Sequence, residues 1–361
     1  VTTVLWLLAG LLLLAALLIA HVTFWTRRLA RAVEYAETLR LPTPDGSAFE
    51  LRHLRPQGEP HATPVLLVHG IAINHRNMDS DAQWSLARML AASGRDTWLL
   101  TLRSGRSDLT WAERRAARFS AMAHHDVPLA VQEVLRRTGA SSLDYIGFSM
   151  GGMLAYATLG RTVPEAQVRR AVIIGSPGRV VTGLPVPRWL ARLPFPGVPL
   201  RWPSRAFAFA SEWLHTPIHS QIVHMRNVAP GLTRHTLVDA VQDIPAGLLQ
   251  EFAQWAAHGG AITVDGVNVL VALRKVNVPV QFFVGTVDRL GPASAVQVAY
   301  EAWGADSGVA KRLTILGRAH GQAEDYGHAD LAIGMRAPTE FYPLIRDFLG
   351  APAVVSEVVT A

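Results

Sequence analysis

Ser149 sits between two glycines in Gly147-Phe148-Ser149-Met150-Gly151, after the apolar run Leu143-Asp-Tyr-Ile and before the small apolar residues Met153-Leu-Ala-Tyr-Ala-Thr. The pattern predicts a strand that turns sharply into a helix, with serine at the apex. The glycines leave room where strand and helix crowd together, and the helix start supplies unpaired N–H groups. A serine hydroxyl is a poor nucleophile at neutral pH, so a base must take its proton and an acid must orient the base. Asp288, in Gly285-Thr-Val-Asp288-Arg-Leu just past an apolar strand, is the acid by position. Asp306, Asp325 and Asp330 are less well placed. Two histidines follow the last strand, His320 in Gly317-Arg-Ala-His320-Gly and His328 in Asp325-Tyr-Gly-His328-Ala-Asp330. Either loop reaches toward Ser149; His328 is favoured because the helical run Leu331-Ala-Ile-Gly anchors it.

Attack on a carbonyl needs two backbone donors for the developing charge. The Met150 N–H follows the nucleophile directly. The second donor is assigned to Ile71, in His69-Gly70-Ile71-Ala72 after the Val65–Val68 run, with His69 bracing that loop. His215 and His219 have i, i+4 spacing, but Pro217 intervenes and no carboxylate is near, so no metal site is expected. His124 and His125 are expected to face solvent. Cysteine is absent, which excludes disulfides, thiolate metal sites and a cysteine nucleophile. The relay needs no cofactor.

The elements that must position these residues are legible as short apolar strands. They are Ala48–Leu54 (after the turn Pro44-Asp45-Gly46), Val65–Val68, Asp96–Leu100, the run before Ser149, Ala171–Gly175, Pro279–Gly285 and Arg312–Leu316. Helical patterns lie between them, from Trp84 to near Gly94 and from Asp126, with Pro128 in the first turn, to about Arg137. Nearly continuous apolar strands alternating with amphipathic helices predict an α/β class: a mostly parallel, twisted sheet with helices on both faces. The stretch 179–266 breaks the alternation. It is rich in proline and in Trp189, Phe195, Trp202, Phe207, Phe209 and Trp213, with helical patterns over Ser204–His215 and Ala246–Ala257. It is expected to be an inserted, mainly helical cap over the C-terminal ends of the strands.

The chain has 361 residues, 50% hydrophobic and 17% charged, enough for a large core. Its net charge is +6, carried almost wholly by arginine, since lysine occurs only at Lys275 and Lys311. No dense basic stretch interleaves with aromatics, so no nucleic-acid partner is expected. Val4 to Ala20 contain nothing polar, and the apolar character runs on to Trp25. About 20 residues at 1.5 Å rise cross a hydrocarbon core of about 30 Å. No small-x-small cleavage site precedes the polar flank, which favours a retained single-pass membrane anchor over a cleaved signal. Arg27, Arg28 and Arg31 follow, placing the downstream domain on the cytoplasmic side. The expected organisation is an anchor (1–25), a connector (26–45), a core (46–178 and 267–350), a cap (179–266) and a tail (351–361). The sheet is expected to begin near Ala48, so loss of residues 1–25 should leave the catalytic unit intact.

With these segments in view the chain resembles the α/β-hydrolase superfamily, in particular its acid-lipase and polyhydroxyalkanoate-synthase-like branch. The resemblance rests on His69-Gly-Ile, Trp84 to Leu99, Asp126-Val-Pro128, Asp144 to Gly152, Gly285-Thr-Val-Asp288-Arg and Asp325-Tyr-Gly-His328-Ala-Asp330. It covers most of 60–350 except the cap. It implies ester chemistry with the chain order serine, acid, histidine, and supports His328 over His320. The synthases carry cysteine at the elbow, whereas serine here favours hydrolysis. Acid lipases more often have His where Phe148 stands, and Arg-Gly where Arg103-Ser104-Gly105 stands. The expectation is a membrane-anchored serine hydrolase of lipophilic carboxylic esters, with membrane lipid as a partner. A same-fold acyltransferase and a catalytically idle membrane-bound binding protein are the alternatives.

Overall fold

A computed structural model describes residues 2–181, 197–214 and 221–351. An eight-stranded sheet forms its centre. In chain order its strands are β1 (Glu37–Pro42), β2 (Ala48–Leu54), β3 (Val65–Val68), β4 (Thr97–Thr101), β5 (Leu143–Phe148) and β6 (Val168–Ile174). A small hairpin, β7 (Thr263–Val264) and β8 (Val267–Asn268), stands apart, and β9 (Val280–Gly285) and β10 (Lys311–Leu316) complete the sheet. The spatial order is β1-β2-β4-β3-β5-β6-β9-β10. Within this sheet β1 against β2 and β2 against β4 are antiparallel and the other pairings are parallel.

Both faces of this sheet are dry. Leu66 and Val68 belong to one buried cluster and Val65 and Leu67 to the other, and β4, β5, β6 and β9 alternate in the same way. That alternation is why the strands read as unbroken apolar runs rather than as polar–apolar repeats. Helices Val127–Thr138, Met150–Thr158 and Ala293–Ala302 contribute to the first cluster, and Leu86–Ala92 and Tyr342–Gly350 to the second.

Two expectations need correcting. The sheet does not begin at Ala48: Glu37–Pro42, within the expected connector, pairs along its whole length with Ala48–His53. Partly exposed Glu37, Leu39 and Leu41 alternate there with exposed Thr38, Arg40 and Pro42, an edge-strand pattern without the buried run that betrays the inner strands. The helix expected from Asp126 runs over Val127–Thr138 with Pro128 in its first turn; a π-helical turn, Met122–Asp126, precedes it, and the Asp126 side chain bonds Arg103. The pattern over Ser204–His215 is helical only at Arg201–Phe207, with one 3-10 turn at Ala208–Ala210. Ala246–Ala257 is helical as expected.

Between β6 and β9 the chain leaves the sheet for a long excursion that includes helices Arg201–Phe207, Leu232–Asp239 and Ala246–Ala257. Trp189, Phe195, His215, Pro217, His219 and most of the tail lie outside the described residues. The N-terminal helix is unbroken from Thr2 to Leu29. Residues 2–20 are exposed on every side, whereas Val22 and Leu29 are buried. The buried face meets the excursion: Trp25 stacks on Phe209 at 5.3 Å, the His21 ring bonds the Ala206 carbonyl at 3.0 Å, and Leu29 packs with Ala208 and Val238. Loss of residues 1–25 would therefore uncover the surface that His21 and Trp25 cover at Ala206 and Phe209.

Candidate active site

The turn after β5 places Ser149 at φ 52° and ψ −117°, a strained conformation for a residue with a side chain. Such a residue costs on the order of 1–3 kcal/mol and persists only where its surroundings over-determine it. Here a Cβ on Gly147 would lie 2.5 Å from the Gly152 nitrogen, and one on Gly151 would lie 2.1 Å from the Val68 carbonyl oxygen. Glycine is obligatory at both, and Ser149 N–H is tied to the Ile174 carbonyl at 2.7 Å. The hydroxyl therefore projects from the point where β5, β6 and the helix Met150–Thr158 converge.

His328 faces it. Its Nε2 lies 2.9 Å from Ser149 Oγ, and its Nδ1 lies 2.8 Å from Asp288 Oδ2. With the proton on Nδ1, the ring donates to Asp288 and accepts the serine hydroxyl proton at Nε2, which satisfies all three groups. Asp288 is fixed in turn, because its Oδ1 accepts the N–H groups of Leu290 at 3.0 Å and Gly291 at 2.7 Å. Phe148 packs its ring 5.1 Å from the imidazole.

The rivals serve elsewhere. His320 is exposed on the turn Arg318–His320. Asp306 pairs with Arg274 at the surface, and Asp325 accepts from Thr286 Oγ1 and Arg318 N–H. Asp330 is fully buried two residues past His328. It accepts the N–H of Gly327 at 2.8 Å and of His224, in the excursion, at 3.0 Å, and burial raises its carboxyl to about 6. It braces the loop that carries His328.

Met150 is the first residue of its helix, so its N–H has no partner within that helix. Ile71 N–H makes no hydrogen bond to any described residue. The loop presses against the nucleophile, since a Cβ on Gly70 would lie 3.0 Å from that of Ser149. His69 braces this loop as expected: Nδ1–H donates to the Gly70 carbonyl at 2.8 Å, and Nε2 accepts Leu102 N–H at 3.1 Å. Burial lowers its pKa to about 4, so the ring stays neutral at pH 7.

Two features have no sequence signal. Gly175, at φ 58°, ends β6 beside the acid and base; a Cβ there would sit 3.2 Å from Asp288 Oδ2 and 3.3 Å from His328 Cε1. Arg103, fully buried after β4, is held by Asp126 through three bonds and by Asp45. The partners lie 23 and 58 residues away, beyond any local pattern. Among the described residues no cluster of His, Asp and Glu could hold a metal ion. His124 is not simply solvated, for it pairs with Asp265 at 2.9 Å.

The family described as "alpha/beta hydrolase fold" matches residues 63–218, the span from β3 through the elbow into the excursion. Human gastric triacylglycerol lipase is 30% identical over 142 residues, 34% of this chain and 35% of the lipase. The chain thus aligns with about a third of that curated relative's length. An esterase from Thermogutta terrifontis superposes with a TM-score of 0.53 at 16% identity, covering 87% of this chain and 98% of the esterase. A bacterial membrane phospholipase A superposes with a TM-score of 0.50 at 17% identity, covering 96% of both chains. At such identities the superpositions speak for the fold.

Proposed function

We propose that this chain belongs to the α/β-hydrolase superfamily and is a membrane-anchored serine hydrolase of carboxylic esters. Ser149 Oγ attacks the acyl carbon as its proton passes to His328 Nε2. Asp288 holds the ring in the required tautomer and stabilises the imidazolium that forms. The N–H groups of Met150 and Ile71 receive the oxyanion. On collapse of the tetrahedral species the C–O bond to the alcohol breaks, and His328 returns the proton to the leaving oxygen. Water then attacks the acyl-enzyme with His328 as base, and the acid leaves with Ser149 restored.

The observation that carries this reading is the continuous chain from Ser149 through His328 to Asp288, at 2.9 and 2.8 Å. The lipase relatives support ester substrates. A lipophilic acyl group fits the exposed aromatics of the excursion, Trp202, Phe207 and Trp213, read here as the outer face of a cap spanning 179–266. The anchor reading rests on Thr2–Leu29, whose mean hydropathy reaches 2.7 over an 18-residue window, none of it buried. Arg27 and Arg28 in its last turn and Arg31 just beyond it support a catalytic domain on the cytoplasmic side.

A fluorophosphonate should label Ser149, and Ser149→Ala should abolish both labelling and turnover, with a loss of several orders of magnitude. Near-normal turnover in that variant sinks the proposal. A p-nitrophenyl ester series should favour long acyl chains; preference for acetate would remove the lipophilic reading alone.

A further inference from the structure

We propose that Asp239 is a positioning residue that joins the foot of the N-terminal helix to the loop carrying the Ile71 N–H. The inference rests on the ester-hydrolase reading above and extends it from the reacting groups to what aligns them. The loop Gly70–Asn74 belongs to no helix or strand, and Ala72 within it holds φ 61°, a strained value for alanine. Such a loop keeps one shape only if bonded from outside. The bonds come from the end of the excursion helix Leu232–Asp239. Gln242 N–H donates to the Ala72 carbonyl at 2.8 Å and Asn74 N–H to the Ala240 carbonyl at 3.0 Å, a short antiparallel bridge centred on Ile73 and Val241. The Asn74 amide adds a bond to the Asp239 carbonyl at 3.0 Å.

Asp239 has a second set of partners. Its carboxylate accepts the backbone N–H of Arg31 at 3.0 Å, two residues beyond the N-terminal helix, and faces Arg76 at 3.5 Å. Arg76 also donates to the Arg31 carbonyl at 3.3 Å, and its own N–H donates to the Asn74 amide oxygen at 2.9 Å. The His235 ring bonds the Leu29 carbonyl, and Arg31 pairs with Asp81. The helix foot, the excursion helix and the oxyanion loop therefore meet at one residue, Asp239, whose carboxylate holds Arg31 and faces Arg76 and whose carbonyl holds Asn74, and the Ala72–Ile73 peptide just past Ile71 is bonded to the segment that follows it.

A positioning role at the oxyanion loop acts on the tetrahedral species more than on bound ester. In the full-length protein in detergent, Asp239→Ala should lower kcat on a p-nitrophenyl ester about tenfold or more with little change in KM. Affinity for a trifluoromethyl ketone, which forms a tetrahedral adduct, should fall in step. Asp239→Asn keeps an oxygen for Arg31 N–H and should recover most of the loss. Arg31→Pro deletes that N–H from the helix side and should reproduce the kcat loss, whereas Arg31→Ala, which loses only the side chain, should not. The proline/alanine pair also decides the matter if Asp239→Ala does not fold. Equal kinetics for Arg31→Pro and Arg31→Ala, or a rise in KM at constant kcat, overturns the inference. A wild-type protein that neither labels at Ser149 nor turns over ester overturns the parent reading instead.

Discussion

The two sides of Ser149 are built on different principles. On the side of the proposed relay, Asp288 is capped by the N–H groups of Leu290 and Gly291, two and three residues on, and lies three residues past the strand Val280–Gly285. On the oxyanion side, residues 72–74 are held by residues 239–242, more than 160 positions away, and through them by the N-terminal helix. The relay is a property of the sheet and its adjoining loops. The oxyanion loop is a property of the whole assembly. Disturbing the first should remove the chemistry, and disturbing the second should attenuate it.

The largest effect should come from the base. His328→Ala is expected to cost kcat roughly as much as loss of Ser149, on the order of 10⁴–10⁶-fold, and the double variant should be little worse than either alone. His320→Ala should stay close to wild type; the reverse result would break the assignment. Gly151→Ala, whose new Cβ would press within 2.1 Å of a backbone oxygen, should lower stability by about 1–3 kcal/mol, measured by urea denaturation.

A subtler test separates the brace from the relay. His69 has a pKa of about 4 in the fold because it is buried, against about 6.5 unfolded. As pH falls from 7 toward 4, the unfolded chain binds a proton that the folded chain refuses, so this residue costs stability by up to about 1.4 kcal/mol per pH unit. The stability gap between wild type and His69→Gln should therefore narrow steadily over that window, and a constant gap would refute the neutral brace. The smallest change expected is none: a high-salt wash should leave the protein in the membrane fraction, because hydrocarbon burial is not screened by salt.

What the sequence disclosed follows the same division. The elbow, Asp288, His328, the inner strands and the Ala246–Ala257 helix all declare themselves within windows of about ten residues, because apolar runs, glycines and turn signals act locally. The edge strand Glu37–Pro42 escaped because an edge buries too little to need an apolar run. Arg103 with Asp45 and Asp126 escaped because ion-pair partners can stand at any separation. Asp126 and Asp45 each had a satisfactory local reading, one at a helix start and one in a turn, which concealed their common partner. The docking of His21, Val22, Trp25 and Leu29 on the excursion was hidden for the opposite reason: a stretch apolar all round carries no sign of which face meets protein.

The unbroken helix from Thr2 to Leu29 has a mechanical consequence. A glycine–serine tether would let a catalytic domain swing freely over the membrane. Here about 42 Å of helix and the domain bolted to its last two turns form a single lever. In a bilayer, any tilt of that mast is a tilt of the domain, and the helix adjusts its tilt to hydrocarbon thickness. If the helix is the anchor proposed above, the angle at which the domain addresses the surface follows the lipid around it.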